Sequence, residues 1–217
     1  TYACKGKSYP GPRSTPSVTG GLVFTLSRDG LVHALNAKTG AVVWKRDVAS
    51  ACNAGIPRWG VAGSPIIQGE ALLLNMAEHG VALNARTGKT LWKSPAGTGG
   101  YSTPVVATVN GKRMVILFGE KHVYGVDLQT GRKHFSYPWN TKYNVNAADP
   151  VVIDQSRIFI SSGYGRGSAL LDVSGRGPKV VWENTNLKSH FGTCILIDDH
   201  LYGTDGNTGK GQLACID

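Results

Sequence analysis

The sequence lacks the motifs that mark membrane, metal and hydrolytic proteins. No apolar run approaches the roughly 18 residues of a membrane-spanning helix, so we expect no membrane span. The four cysteines form no Cys-x-x-Cys pair and are too dispersed to predict a zinc site. Gly-x-Ser-x-Gly, His-Glu-x-x-His and P-loop motifs are absent, so hydrolase and nucleotide chemistry have no sequence support. The segment Gly163 to Gly167 is glycine-rich, but it lies between strands rather than before a helix, and we assign it no role.

Acidic residues are scarce relative to basic ones. The 14 Asp and Glu residues against 23 Lys and Arg residues give a net charge of +9, which favours acidic partners. The basic residues are scattered, without the long runs or the aromatic-basic stripe of a nucleic-acid face. We therefore expect no nucleic-acid partner. The chain begins at Thr1 without a signal-peptide pattern, from which we expect a mature or trimmed form.

What the sequence does contain is a repeat. The segment Ala34–Trp44 returns as Ala82–Trp92 and as Gly125–Phe135, with a looser copy over Ala169–Trp182 and a fifth that begins at Ala214. Periods of roughly 40 to 50 residues indicate a repeat architecture. Each copy alternates apolar residues, passes a glycine-containing turn and returns in a second apolar run. This is the pattern of a β-hairpin.

The residue types that recur from copy to copy have a structural interpretation. Glycine adopts positive φ in tight turns without steric strain. An aromatic residue at a fixed distance past the turn can lie over the hairpin and hold one unit to the next. We assign this docking role to Trp44, Trp92, Phe135, Trp182, Gly40, Gly88 and Gly131.

Each repeat also has a front half, in which a small residue precedes two short apolar strands. The segment Ser102–Val106 leading into Met114–Phe118 is one example. Four strands per repeat, without helical periodicity, predict an all-β fold, a β-propeller of four-stranded antiparallel blades, rather than a sandwich or a jelly roll. We expect one domain over residues 1–217, with about four to five blades in an open or partial ring. The predicted blades are 14–48, 63–96, 102–137, 148–184 and 192–217, the last one incomplete.

The pattern Ala-x-Asp/Asn-x-x-Thr-Gly-x-x-x-Trp resembles the pyrroloquinoline-quinone (PQQ)-type repeat. That repeat occurs in quinoprotein alcohol dehydrogenases and in the non-enzymatic lipoprotein of the outer-membrane β-barrel assembly machinery. Nearly the whole chain is similar to bacterial PQQ-like β-propeller repeat proteins. Such propellers usually close with about seven or eight blades, so the resemblance implies either a fragment of a longer propeller or a ring closed by another chain, for which a homodimer would suffice. The motif is specific for the scaffold and weak for chemistry.

In propellers of this kind the loops that lead into the innermost strands converge on the central channel, and we call these the inner loops. Their unusual residues are candidates for a ligand-binding mouth: Arg13, Arg58, Trp59, Tyr101, Asn144, Asn146, Asp149 and His190. Guanidinium, aromatic and amide groups suit an anionic or carbohydrate-like ligand. The alternative is that Arg13 and Arg58 brace neighbouring loops by bonding backbone carbonyls. No catalytic residue is assigned.

Two functions remain open. The first is a non-catalytic, exported scaffold, periplasmic or extracellular, that binds a protein, a glycan or an anionic small molecule. The alternative is a PQQ-dependent quinoprotein oxidoreductase acting on an alcohol or a sugar. The resemblance implies that such an enzyme needs an Asp base, a calcium held by carboxylate and amide oxygens and, in many members, a vicinal Cys-Cys pair. Asp149, Asn144 and Asn146 offer hard oxygen ligands, although such loops more often cap turns, and no Cys-Cys pair is present. We expect no metal and no cofactor, with PQQ and calcium as the alternative.

The cysteines allow one disulfide prediction. Cys4 and Cys52 precede Pro16 and Pro65 by similar distances, so they occupy equivalent places in successive repeats and could be bonded in an oxidising compartment. Cys194 and Cys215 belong to one repeat, and we expect both to be buried free thiols.

Overall fold

The computed structural model describes residues 11–207, 209 and 211–217. All but two of the described strands fall into five antiparallel sheets, here called blades 1 to 5. Blade 1 comprises β1 (Ser17–Thr19), β2 (Leu22–Leu26), β3 (Leu31–Asn36) and β4 (Val42–Asp47). A short helix α1 (Val48–Cys52) and the two-residue strand β5 (Ala54–Gly55) follow. Blade 2 comprises β6 (Ile66–Gln68), β7 (Ala71–Leu74), β8 (Val81–Asn84) and β9 (Thr90–Lys93), and β10 (Gly97–Thr98) comes after it.

The remaining three blades repeat the same order. Blade 3 comprises β11 (Val105–Val109), β12 (Lys112–Phe118), β13 (His122–Asp127) and β14 (Lys133–Pro138). Blade 4 comprises β15 (Val151–Val152), β16 (Arg157–Ser162), β17 (Gly167–Asp172) and β18 (Lys179–Asn184). Blade 5 comprises β19 (Ile195–Ile197), β20 (His200–Asp205) and β21 (Gln212–Ile216). Within each blade every strand pairs with its neighbour in sequence. The prediction of an all-β chain of four-stranded antiparallel units is confirmed for blades 1 to 4, and blade 5 has three strands in the described residues.

The helix α1 was not predicted, because its five residues are too few to show a helical period. Its capping groups explain it locally. The Asp47 side chain accepts a hydrogen bond from the Ser50 backbone N–H at 2.9 Å, and Asn53 ends the helix with a left-handed φ of 53°. The residues after α1 form β5, which pairs in parallel with β10 and so ties the connection before blade 2 to the connection before blade 3.

The Asp or Asn of the repeat motif caps its turn. In blade 1 the Asn36 side-chain oxygen accepts the backbone N–H groups of Lys38 and Thr39 at 2.9 and 3.0 Å. Asn84 and Asp127 do the same in blades 2 and 3. Asp127 also accepts a hydrogen bond from the Thr130 hydroxyl. This bond has the largest effect, and together with the backbone N–H bonds it holds the pKa of the Asp127 carboxyl below its usual range. Such side-chain caps are the reason that Asp or Asn suits this position.

The tryptophan of the motif in blades 1 and 2 packs on the turn of the next blade. The indole Nε1 of Trp44 donates to the carbonyl of Ala85, and that of Trp92 to the carbonyl of Leu128, each at 2.9 Å. A Cβ added to Gly131, whose φ is +69°, would lie 2.5 Å from Cδ2 of Trp92. The Thr-Gly turn of blade 3 therefore needs glycine both for its backbone and for the ring above it, whereas an added Cβ at Gly40 of blade 1 would meet no described atom within 4 Å. Gly88 lies under Trp44 in the same way.

The core is a series of apolar layers between consecutive blades. Phe24 and Leu26 of blade 1 pack with Leu72 and Leu74 of blade 2. Equivalent layers, which include Phe135 and Trp182, join blades 2 to 3, 3 to 4 and 4 to 5. Neither strand pairing nor a core layer links blade 5 to blade 1 within the described part of the chain, so the array is open. No helix in that part is long and apolar enough to cross a membrane.

The cysteines differ in part from expectation. Cys194 is buried and free, as expected, but Cys215 is exposed, which corrects that prediction. The reason is strand alternation, because Cys215 pairs with Tyr202 on the face of blade 5 that carries exposed side chains. Cys52 is buried and bridges to no other cysteine among the described residues, while Cys4 lies outside them, so the disulfide between these two stays a prediction.

Candidate functional site

The inner loops are joined to one another by a chain of hydrogen bonds that passes from blade to blade. The backbone N–H of Thr15 donates to the Ser64 hydroxyl at 2.9 Å, and that of Ser64 to the Thr103 hydroxyl at 3.2 Å. The Thr103 N–H donates to a carboxylate oxygen of Asp149 at 2.6 Å, and the Asp149 N–H to the Thr193 hydroxyl at 3.0 Å. These five residues occupy the same position in successive repeats, and their side chains fix the spacing of the inner strands.

A cavity of about 840 Å³ lies beside this chain of hydrogen bonds. Its lining comes from the loops of all five blades: Arg13, Trp59, Ala62, Ser64, Tyr101, Thr103, Val145, Ala147, Asp149, Tyr164, His190, Phe191 and Thr193. We call it the mouth cavity. Five of the eight predicted mouth residues line it, namely Arg13, Trp59, Tyr101, Asp149 and His190. The wall is rich in aromatic rings and hydroxyl groups and carries one guanidinium and one carboxylate.

Trp59 and Tyr101 form one wall of the mouth cavity. The parallel pairing of β5 with β10 places their loops side by side, and the Trp59 backbone N–H donates to the Tyr101 hydroxyl at 3.4 Å. The two ring centroids are 6.2 Å apart. Burial raises the pKa of the Tyr101 hydroxyl, so it stays protonated and can donate as well as accept.

Asp149 has a structural role at the mouth. One carboxylate oxygen accepts the Thr103 N–H, and the Asp149 backbone N–H is held by Thr193. Burial raises the pKa of this carboxyl, and the hydrogen bonds oppose that shift. Asp149 therefore replaces, in blade 4, the hydroxyl that the other inner loops use.

Another part of the lining is a group of three rings from blades 4 and 5. The imidazole of His190 stacks on Phe191 at 3.8 Å between centroids, with 25° between the planes, and Tyr164 meets it edge-on at 4.6 Å. His190 is 6% exposed, and among the described residues neither of its ring nitrogens has a hydrogen-bond partner. Burial lowers its pKa, so the ring is neutral at pH 7.

Three predicted mouth residues do not line the cavity. Arg58 is exposed, with its guanidinium carbon 4.9 Å from the Trp59 ring centroid. Asn144, at a left-handed φ of 56°, donates to a carboxylate oxygen of Glu120 at 3.0 Å. Asn146 is fully buried, where its amide nitrogen donates to three backbone carbonyls and its oxygen accepts the Ser162 hydroxyl at 2.8 Å.

The oxygen ligands that the resemblance implies for calcium are therefore not brought together. Asn146 has its donor and acceptor groups in use, Asn144 points to Glu120, and one oxygen of Asp149 is committed to Thr103. Within the described chain no group of three His, Cys, Asp or Glu side chains is placed to hold a metal ion. This donor set does not fit calcium with PQQ.

Sequence reasoning missed Tyr164 and Phe191, as well as the hydroxyls that link the inner loops. The linking residues had a recognisable sequence pattern, since Thr15, Ser64, Thr103 and Asp149 each precede a proline in equivalent places. Tyr164 had a weaker one in the glycine-rich segment to which no role was assigned. A Cβ on Gly163 would lie 2.8 Å from the Cβ of His190, so glycine is needed there to admit the histidine.

Sequence similarity relates the chain to two kinds of protein. A family model described as outer membrane protein assembly factor BamB matches residues 6–217. The chain is 27% identical over 213 residues to the outer membrane protein assembly factor BamB of Burkholderia pseudomallei strain K96243, across 94% of this chain and 52% of that protein. It is 36% identical over 88 residues to a polyvinylalcohol dehydrogenase of a Pseudomonas species, across 40% of this chain and 14% of that protein. The chain thus spans about half the length of the first relative and a small part of the second.

Solved structures support the fold. The quinohemoprotein alcohol dehydrogenase from Comamonas testosteroni superposes with a TM-score of 0.53 at 17% identity, over 94% of this chain and 39% of that one. The computationally designed Ika8 protein superposes with a TM-score of 0.56 at 12% identity, over 88% of this chain and 55% of that one. At these identities the likeness concerns the fold alone.

Proposed function

We propose a function from the premise that this chain belongs to the PQQ-like β-propeller family of the outer membrane protein assembly factor BamB. The chain is a non-catalytic, exported binding scaffold, periplasmic or extracellular, and its mouth cavity holds the ligand. The observation that carries this proposal is the mouth cavity itself, of about 840 Å³, to which the loops of all five blades contribute. A concave site with aromatic walls and a few convergent polar groups is the usual form of a ligand pocket.

The carboxylate and hydroxyl groups at the mouth support binding rather than proton transfer. A general base needs a lone pair directed at the substrate. Asp149, the one carboxylate in the lining, accepts the Thr103 N–H at 2.6 Å and takes part in linking the inner loops. Ser64 and Thr103 likewise accept backbone N–H groups through their hydroxyls. These side chains give the mouth a fixed shape, which favours a ligand that fits without reacting.

Tryptophan fluorescence tests the proposal directly. Of the five tryptophans, Trp59 lines the mouth cavity, whereas Trp44, Trp92 and Trp182 lie between blades and Trp139 is fully buried. Titration with neutral oligosaccharides, carboxylated and phosphorylated small molecules and peptides is expected to give a saturable change with at least one class. The Trp59→Phe variant should lose that change and keep its fold. If no class changes the fluorescence, the mouth cavity is not a binding site.

A second candidate is a quinone-dependent oxidoreductase. The 36% identity to polyvinylalcohol dehydrogenase over 88 residues favours it, whereas the donor set at the mouth does not. Titration of the same protein with PQQ and calcium distinguishes the two. A saturable Trp59 response that is lost in Asp149→Ala, together with turnover of an alcohol, would replace the scaffold proposal.

A further inference from the structure

The mouth cavity has a buried polar group for which the described chain supplies no partner. His190 is 6% exposed, and neither Nδ1 nor Nε2 has a hydrogen-bond partner among the described residues. Buried polar side chains in folded proteins are almost always hydrogen-bonded, because an unpaired donor or acceptor loses its hydration without compensation. A molecule that enters the mouth cavity can therefore supply the hydrogen-bond partners that this histidine lacks.

The local structure holds this histidine against aromatic rings rather than against charges. Tyr164 adopts a left-handed φ of 56°, unusual for a bulky residue, and its backbone N–H is held by the Asn207 side-chain oxygen at 2.9 Å. The Tyr164 and His190 ring centroids are 4.6 Å apart with 68° between the ring planes, while Phe191 stacks on the imidazole face at 3.8 Å between centroids. The lowered pKa of His190 has burial as its cause, without contribution from a charged neighbour.

The chemistry of this wall points to a class of ligand. A neutral imidazole offers one N–H donor and one nitrogen acceptor, which is the pair that hydroxyl groups match. Trp59 and Tyr101 elsewhere in the lining offer aromatic surfaces, as do Tyr164 and Phe191. The lining is balanced in formal charge, with Arg13 against Asp149, so it does not select a strongly anionic molecule.

We propose that the mouth cavity binds a neutral saccharide, with its C–H faces on the aromatic rings and its hydroxyl groups on the nitrogens of His190. This inference rests on the proposed binding function and names the ligand class. Both nitrogens are shielded from solvent and bond in the plane of the ring, so a hydroxyl group reaches them when the imidazole rotates out of its stack with Phe191. A second cavity of about 370 Å³, lined by His190, Phe191 and the glycines of blade 5, adjoins that ring and gives it room to move.

The test uses four neutral trisaccharides, maltotriose, cellotriose, mannotriose and N,N′,N″-triacetylchitotriose, and saturation-transfer-difference NMR on the intact chain. At least one is expected to bind and to change the Trp59 fluorescence. His190→Phe keeps an aromatic ring in the stack and removes both polar atoms, so it should weaken saccharide binding about tenfold or more, as expected for loss of buried hydrogen bonds. The same variant should be as stable as the parent or more stable, because it removes unpaired buried groups.

A matched control variant separates a role of His190 in binding from a general effect of the substitution. His122→Phe makes the same substitution next to Tyr124, outside the mouth cavity, and should leave binding unchanged. Unchanged binding in His190→Phe overturns the role of the histidine, and marked destabilisation of that variant shows a packing role instead. A Trp59 response to a peptide or an anionic probe but to none of the trisaccharides overturns the saccharide inference and leaves the proposed binding function standing. The absence of any response overturns both.

Discussion

Gly131 lies beneath Trp92, and replacing it tests how the blades are held together. An alanine Cβ at this position would lie 2.5 Å from Cδ2 of the indole, and the backbone φ is +69°. The left-handed backbone costs an alanine about 1–2 kcal/mol, and forcing a methyl group into a packed ring costs about 1–3 kcal/mol more. We therefore expect Gly131→Ala to lower the free energy of unfolding by about 2–5 kcal/mol.

The matched control is Gly111→Ala. Gly111 has nearly the same φ, +71°, but no described residue lies within 4 Å of the Cβ that would be added. It should show the backbone cost alone, about 1–2 kcal/mol. Both variants gain the same reduction in unfolded-chain entropy, so this effect cancels in the difference between them.

Urea denaturation followed by circular dichroism measures both variants. The double variant Gly131→Ala with Trp92→Ala adds a further check, because removal of the indole relieves the clash. Its destabilisation should be less than the sum of the single effects by about 1–3 kcal/mol. Equal destabilisation by Gly131→Ala and Gly111→Ala would refute the view that the turn glycine is required by the aromatic ring of the preceding blade.

Three further predictions concern the mouth, pH and association. Asp149→Ala should destabilise the chain by about 1–3 kcal/mol through loss of the bond to the Thr103 N–H, whereas Asp149→Asn, which retains an acceptor, should have a smaller effect in thermal unfolding. Four histidines have pKa values lowered from 6.5, with burial as the largest cause: His33, His79, His134 and His190. Because these pKa values are lowered in the folded state, the unfolded chain binds more protons than the folded one below about pH 6.5. The urea midpoint should therefore fall as the pH decreases through and below this value. A constant midpoint from about pH 7.5 to 5 would contradict these shifts. One face of blade 5 exposes three large apolar side chains, Ile195 at 62%, Ile197 at 51% and Leu213 at 82%. We therefore expect the chain to self-associate in light scattering, and we expect Leu213→Glu to weaken this association. A constant monomer mass over the concentration series would contradict it.

The sequence indicated which loops form the mouth cavity, but not which of their side chains line it. The inner loops were identified from their position before each innermost strand, and Arg13, Trp59, Tyr101, Asp149 and His190 do line one cavity. Asn146 comes from the same loop as Asp149, yet it is fully buried and bonds to carbonyls of its own surroundings. Irregular loops have no period that assigns a side chain to one face, so their sequence does not show which residues point inward.

The repeat, the strand order within each unit and the recurrence of a turn glycine followed by an aromatic residue are all readable from the sequence alone. These features are local, because strand alternation and turn chemistry act over a few residues and recur with every copy. The contacts between units are visible only in the folded structure. It placed Trp92 on Gly131, joined the inner loops through Ser64, Thr103 and Asp149, and set Tyr164 against His190. These contacts join residues distant in sequence, and they depend on how one blade is stacked on the next, which no local pattern encodes.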